Sequence, residues 1–315
     1  MMTIEGIIES ARGREAGRIA IAAAHDEDVI MAAIGANRAG IAVPVLIGDS
    51  NTIEEILNRH GEEVQRYRII HAADPCECAR IATETVSSGD ADFLMKGALG
   101  TADLLRAVLD KNVGLRTDRL LSHVMLYQVN SYPKLLALTD GGMNTFPDLA
   151  RKADILENAA ILMKALGYQS ITAACICGAE TVDPKIQSTI DAAALSDMRD
   201  RWLPYSMTVL GPVGLDLAIS MEACRHKGYK AEGGGSADIL LVPSYEVGNG
   251  IGKALSYFAH AQSAGLVVGA KVPIVLVSRA DTAQTKLASI ALGAVVARTM
   301  GKFFESKSPS VQGAV

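Results

Sequence analysis

Short apolar runs alternate with longer amphipathic stretches along almost the whole chain. The runs predict strands over Arg18–Ala24, Val43–Gly48, Tyr67–Ala72, Ala91–Lys96 and Lys134–Thr139. Four more follow at Ser170–Cys177, Met207–Gly211, Asp238–Pro243 and Pro273–Ser278. Between them the pattern predicts helices over Glu27–Ala39, Pro75–Ser88, Thr101–Asp110 and Asp148–Leu166. Pro184–Asp200, Leu215–His226, Ile251–Ala264 and Thr282–Met300 complete the helical set. Strands that read as nearly continuous apolar runs, separated by helices, imply parallel pairing with both faces covered. The expected architecture is therefore α/β with right-handed crossovers.

Punctuation supports this reading. Asp26 and Thr101 are N-cap types at predicted helix starts. Gly40, Gly89, Gly167, Gly228 and Gly265 fall just past helical stretches, where a left-handed C-cap is expected. No repeat or low-complexity tract interrupts the order, and a length of 315 residues suggests about two domains.

Composition narrows the picture. Hydrophobic residues make 49% of the chain but aromatics only 4%, so the core is aliphatic, as suits helix-covered parallel sheets. The net charge of −5 leaves no basic stripe, which argues against a nucleic-acid binder. The N-terminus MMTIEGIIESARGREAGR mixes charges and lacks a signal-like apolar stretch. The apolar run Leu287–Ala297 is well short of the roughly 20 residues that span a bilayer, so no membrane partner is expected. The cysteines Cys76, Cys78, Cys175, Cys177 and Cys224 are odd in number and their close pairs are C-x-C. Reduced thiols in a cytoplasmic protein, without a metal site, are expected.

In open parallel sheets ligands bind beyond the carboxyl ends of the strands. Here those ends carry Lys96-Gly97, Thr139-Asp140-Gly141-Gly142, Gly178-Ala179-Glu180, Gly211-Pro212, Ser244 to Asn249, and Ser278 to Asp281. The segment EVGNGIGK, from Glu246 through Gly248 and Asn249 to Lys253, reads as a loop before a helix. Its glycines would let backbone N–H groups approach an anion, or would serve only a tight turn. It is neither a Walker A loop nor a dinucleotide fingerprint, because its spacing fits neither. Ser278-Arg279-Ala280-Asp281 places a hydroxyl, a guanidinium and a carboxylate within four residues. The Arg could hold a phosphate and the Asp could act as a base, or the two could form a surface pair with Asp281 as N-cap. Lys96, Thr101, Arg116, Arg119, Ser122 and His123 are further candidate anion ligands, although each could equally be a solvated or structural side chain. No G-x-S-x-G, H-E-x-x-H or EF-hand spacing occurs.

The ordered motifs resemble the phosphate acetyl/butyryltransferase family over nearly the whole chain. Seven collinear blocks carry the resemblance. They are MKGALGTADLLRAVL, GLRTDRLLSHV, LLALTDGGMNTFPDL, AETVDPKIQSTIDAAAL, GPVGLDLAISMEACRHKG, GSADILLVPSYEVGNGIGKALSY and GAKVPIVLVSRADTAQTKLASIAL. The resemblance implies the reaction acyl-CoA + phosphate ⇌ acyl phosphate + CoA, with coenzyme A as substrate and no permanently bound cofactor. It implies two three-layer α/β domains, like those of isocitrate and isopropylmalate dehydrogenases, with the active site in the cleft between them. With the C-terminal helix returning to the first domain, the expected division is 1–135 plus 282–315 against 136–281. A homodimer or larger homo-oligomer is implied as well.

Applied to that chemistry, Arg279 would bind the phosphoryl group, Ser278 would donate to the oxyanion, and Asp281, standing in for the family's own acidic residue, or Asp216 of the GPVGLD block would take the thiol proton. Lys96, Thr101, Arg116, Ser122 and the Glu246–Lys253 segment would position the substrates. Acetyl-specific members carry an acidic residue several positions beyond the Ser-Arg pair, where this chain has Gln284 and Thr285. The GLRT, SHV and SRAD sequences resemble the butyryl branch, so a short-chain acyl group of about four carbons is expected. The alternatives are a phosphate acetyltransferase of the same mechanism, a nicotinamide-dependent dehydrogenase of the same fold, and a non-catalytic binding protein that kept the fold.

Overall fold

The computed structural model describes residues 2–12, 15–277 and 281–305. The first strands are β1 (Gly17–Ala22), β2 (Ala42–Gly48), β3 (Arg68–His71), β4 (Phe93–Lys96), β5 (Ser122–Gln128) and β6 (Leu136–Thr139). They are followed by β7 (Ile171–Ile176), β8 (Met207–Val213), β9 (Ile239–Leu241), β10 (Gln262–Val268) and β11 (Ile274–Val275). The first six helices are α1 (Ile4–Arg12), α2 (Glu27–Arg38), α3 (Ser50–Arg59), α4 (Pro75–Ser87), α5 (Thr101–Val108) and α6 (Leu149–Ala165). The rest are α7 (Gln187–Asp197), α8 (Arg199–Trp202), α9 (Leu215–Ile219), α10 (Met221–Lys227), α11 (Tyr245–Tyr257) and α12 (Ala283–Glu305). None of the helices, among the described residues, is long and apolar enough to cross a membrane.

The strands form one sheet in the order β3-β2-β1-β4-β11-β10-β5-β6-β9-β7-β8. The outer pairs are parallel on both sides, β3 through β11 and β6 through β8. Only the centre is antiparallel, where β10 and β5 join the two parallel halves. The α/β, mostly parallel expectation holds, and each of the nine predicted strands is present. The two strands without a sequence prediction, β5 and β10, are the antiparallel ones.

Local chemistry explains most element ends. Asp26, Asp49, Asp74 and Asp148 each accept a backbone N–H bond at the start of α2, α3, α4 and α6. Gly40, Gly89, Gly167 and Gly228 take positive φ, as their C-cap role requires. Gly265 does not; it lies inside β10. Thr101 is the first helical residue, with Gly100 as the cap. The Thr282 hydroxyl, rather than Asp281, accepts the Thr285 N–H at the start of α12. The predicted helix over Leu215–His226 is broken at Ser220, whose hydroxyl caps α10. Pro184–Asp200 condenses to α7 and α8.

One face of the sheet carries a continuous core, into which α1, α2, α3, α6, α7 and α12 all contribute. On the other face the core is in two parts. One lies under α4 and α5 against β1, β2 and β4, the other under α9, α10 and α11 against β6 to β9. Between these two parts lies the cleft, over the central strands β5 and β10, from which Val267 joins the first part and Tyr127 the second. α12 packs on α1, α2, α6 and β10, and its buried Lys286 pairs with Asp28 at 3.1 Å.

Candidate active site

The cleft encloses about 380 Å³. Its floor is β5 and β10. Side chains alternate across a strand, so Ser122, Val124 and Leu126 face α6 while His123, Met125 and Tyr127 face the cleft. Gly265 of β10, Met125 of β5 and Leu138 of β6 stand in register side by side. A Cβ on Gly265 would lie 2.1 Å from the Met125 sulfur, so the glycine lets that side chain lie flat on the floor. Tyr127 is paired in register with Ser263, and both line the cleft. Burial, then the charge of Asp281, pushes the Tyr127 hydroxyl up to about 12, so it stays a neutral hydrogen-bonding group.

One wall comes from the N-terminal half. Lys96, the last residue of β4, is only 7% exposed, and its ammonium donates to the carbonyls of Gly97 and Leu99, both at 3.1 Å. Leu99, Gly100 and Thr101 continue that wall into α5. Gly97 has no room for a side chain, since a Cβ would lie 2.3 Å from the Ala23 carbonyl oxygen.

The opposite wall is the turn after β6 together with α11. The turn is organised by the buried carboxylate of Asp140, which accepts four hydrogen bonds. Oδ1 takes the N–H groups of Gly142 and Met143, both at 2.8 Å; Oδ2 takes the N–H of His123 at 3.0 Å and the Asn144 amide at 2.7 Å. Gly142 packs against the imidazole of His123, and an added Cβ there would meet Nδ1 at 2.5 Å. Gly141 lies against Gly248, backbone to backbone.

The EVGNGIGK segment corrects the sequence reading. It is no loop: Glu246 to Lys253 form the first turns of α11, which begins at Tyr245. Gly248 and Gly252 fall on the buried face, where they allow contact with Gly141 and with the Tyr127 hydroxyl. Three glycines in eight residues suggested a phosphate loop, but two of them serve helix docking. Asn249 and Lys253 do line the cleft, Gly248 borders it, and Glu246 is exposed outside the lining.

The other sequence candidates divide. Asp281 lines the cleft beside Val277. Ser278 and Arg279 lie outside the described residues. Asp216 is not brought to the cleft: it pairs with Lys227 at 2.9 Å in a surface cluster that includes Glu180. That ammonium holds the Asp216 carboxyl below the usual carboxylate range, the opposite of what a base needs. Ser122 is fully buried on the far side of β5, where it accepts the Asn158 amide at 2.9 Å. Arg116 is exposed and outside the lining. Arg119 pairs with Glu157, which also binds Arg201. Cys78, Cys175, Cys177 and Cys224 are buried free thiols, and burial raises the pKa of each; Cys76 is free and exposed.

Sequence reasoning missed Met125, Tyr127 and Ser263 as site residues. A signal was present in SHVMLYQ, where His123, Met125 and Tyr127 recur at every second position as a strand requires.

The phosphate acetyl/butaryl transferase family model matches residues 76–294. The chain belongs to this family. A phosphate butyryltransferase of Clostridium acetobutylicum is 42% identical over 291 residues, covering 92% of this chain and 97% of that protein. A phosphate acetyltransferase of Thermotoga maritima is 39% identical over 94% of this chain and 100% of its own length. Among solved structures, a branched-chain phosphotransacylase from Enterococcus faecalis V583 superposes with a TM-score of 0.79 at 31% identity. That match covers 89% of this chain and 98% of the other. Five of the seven sequence blocks contribute lining residues to the one cleft. The blocks around Thr181–Leu195 and Gly211–Gly228 do not.

Proposed function

We propose that this protein is a phosphate acyltransferase that moves a short-chain acyl group, butyryl foremost, between coenzyme A and inorganic phosphate. The observation that carries the reading is the convergence of five family blocks, from Lys96 to Asp281, on a single cleft with polar walls and a partly apolar floor. The chemistry fits such a cleft. Two anions must meet around one carbonyl, and Lys96 and Lys253 on the cleft walls supply positive charge against a chain whose net charge is −5. Ser278 donates to the oxyanion, Arg279 holds the phosphoryl group and Asp281 supports removal of the thiol proton in the reverse direction.

The acyl chain lies on the strip formed by Met125, Leu138 and Leu276. Each methylene is worth only about 0.8 kcal/mol, so preference for four carbons over two is a matter of depth at Met125. No cofactor is held permanently. Two bodies flank the cleft, residues 1–135 with 282–315 on one side and 136–281 on the other. A homodimer or larger homo-oligomer working in the cytoplasm completes the proposal.

The test is phosphate-dependent release of free thiol from acetyl-, butyryl- and isobutyryl-CoA. Release from none of them ends the transferase reading, and a clear lead for acetyl-CoA replaces butyryl as the substrate.

A further inference from the structure

His123 is the one buried polar side-chain atom, among the described residues, left without a hydrogen-bond partner: its Nε2 is shielded from solvent and bonds to nothing. Buried polar groups are nearly always satisfied, and an exception at a site calls for a reason. The surroundings make this one specific. The ring projects from β5 onto the cleft floor, with Nε2 over Gly265, where an added Cβ would be 3.3 Å away. Its main-chain N–H is held by Asp140 and its ring is backed by Gly142, so its position is fixed from two sides.

We propose that His123 is a further catalytic residue, its Nε2 relaying a proton between the phosphate hydroxyl and the sulfur of coenzyme A. This rests on the transferase reading above and names a group that reading leaves open. In the forward direction a phosphate oxygen attacks the thioester carbon and forms the new C–O bond. The proton of hydrogen phosphate passes to the Nε2 lone pair. The tetrahedral intermediate then expels sulfur with the electrons of the C–S bond, and the Nε2 proton passes to that sulfur. Acyl phosphate and free thiol result, the ring ends as neutral as it began, and no other reactant is needed.

The charges around the ring suit a transient imidazolium. Burial lowers the pKa of His123, so the resting ring is neutral, while Asp140, the Leu276 carbonyl and Asp281 favour the charged form. Of the other titratable groups lining the cleft, Lys96 and Lys253 sit on the flanking walls, Tyr245 opens α11, and Tyr127 is held neutral by its burial. In this scheme Asp281 acts through the ring as a positioning residue.

His123→Gln keeps a hydrogen-bonding side chain but cannot relay a proton. Its kcat is expected to fall about 100-fold or more, the usual range for a lost general acid–base group, with KM for butyryl-CoA and phosphate nearly unchanged. Its pH–rate profile loses the acid limb, where the wild-type rate rises as His123 becomes neutral. Added imidazole restores turnover to His123→Ala. A folded His123→Gln with wild-type kcat overturns the proposal, as does one that retains the acid limb. If neither variant folds, the ¹⁵N shifts of histidine-labelled wild-type protein decide the matter. An Nε2 without a proton at neutral pH supports the relay, and an Nε2–H overturns it. Wild-type protein that releases no thiol from any acyl-CoA would instead sink the transferase reading, so the two failures are distinct.

Discussion

Four donors converge on the Asp140 carboxylate, which therefore ties the turn after β6 to the first residues of β5. Removing it leaves the N–H groups of Gly142, Met143 and His123 without their acceptor, and only the partly buried ones lack ready access to water. Asp140→Ala is expected to lose about 1–3 kcal/mol in chemical denaturation; unchanged stability would show that the turn holds itself. His123 sets a pH dependence. Its folded pKa lies below the ordinary value, so its neutral form supports the fold fully above pH ~6.5 and that support is lost as pH falls through the depressed value. Thermal melts should show wild type losing more stability toward acid than His123→Gln. Arg279, though outside the described residues, carries a firm expectation: Arg279→Ala raises the phosphate KM and lowers turnover by about 100-fold, as loss of a charge clamp does. At this scale the sequence pointed to Lys96 and Asp281 because both follow apolar strands. It could not separate Asp216, whose surface ion pair depends on Lys227 and Glu180 across a fold not yet known.

Among the elements, α11 decides how the C-terminal half meets the cleft. Its glycines differ in what they face. A Cβ at Gly248 would lie 2.6 Å from the Gly141 Cα, backbone that cannot step aside, whereas a Cβ at Gly250 meets nothing within 4 Å. Gly248→Ala is expected to cost about 1–3 kcal/mol and to raise KM by displacing the helix. Gly250→Ala should instead stabilise by about 0.5–1 kcal/mol, since alanine is the better helix former. Equal effects in paired denaturation curves would contradict the docking described for α11. The glycines also explain why EVGNGIGK read as a loop: propensity disfavours a helix that packing imposes. β5 and β10 escaped notice for a related reason. Buried on one face and open to the cleft on the other, SHVMLYQ mixes polar and apolar positions, unlike the continuous runs of the parallel strands. The predicted helix over Ile251–Ala264 ran into β10, whose Gly265 and Ser263 carry no strand propensity of their own. α1 and α3 were also unassigned, although Ile53, Ile56 and Leu57 are spaced as a helix face and Asp49 caps it.

For the molecule as a whole, the sheet is continuous while its cover is not. One face has an unbroken, mainly aliphatic core, and the other is divided into two cores with the cleft between them. The alternation of runs and amphipathic stretches made the parallel halves legible. It could not reveal that antiparallel strands join them, because strand direction depends on pairing across more than 100 residues, as between Gln128 and Gln262. The net charge of −5 would repel both proposed substrates, so attraction has to be local to the cleft walls. The central claim is that this cleft joins an acyl group to phosphate rather than to water. Phosphorus-31 NMR of the protein with butyryl-CoA and inorganic phosphate tests it most directly. The account predicts a new acyl phosphate resonance growing in step with free thiol. Thiol release with the phosphate signal unchanged would mark a thioesterase and contradict it.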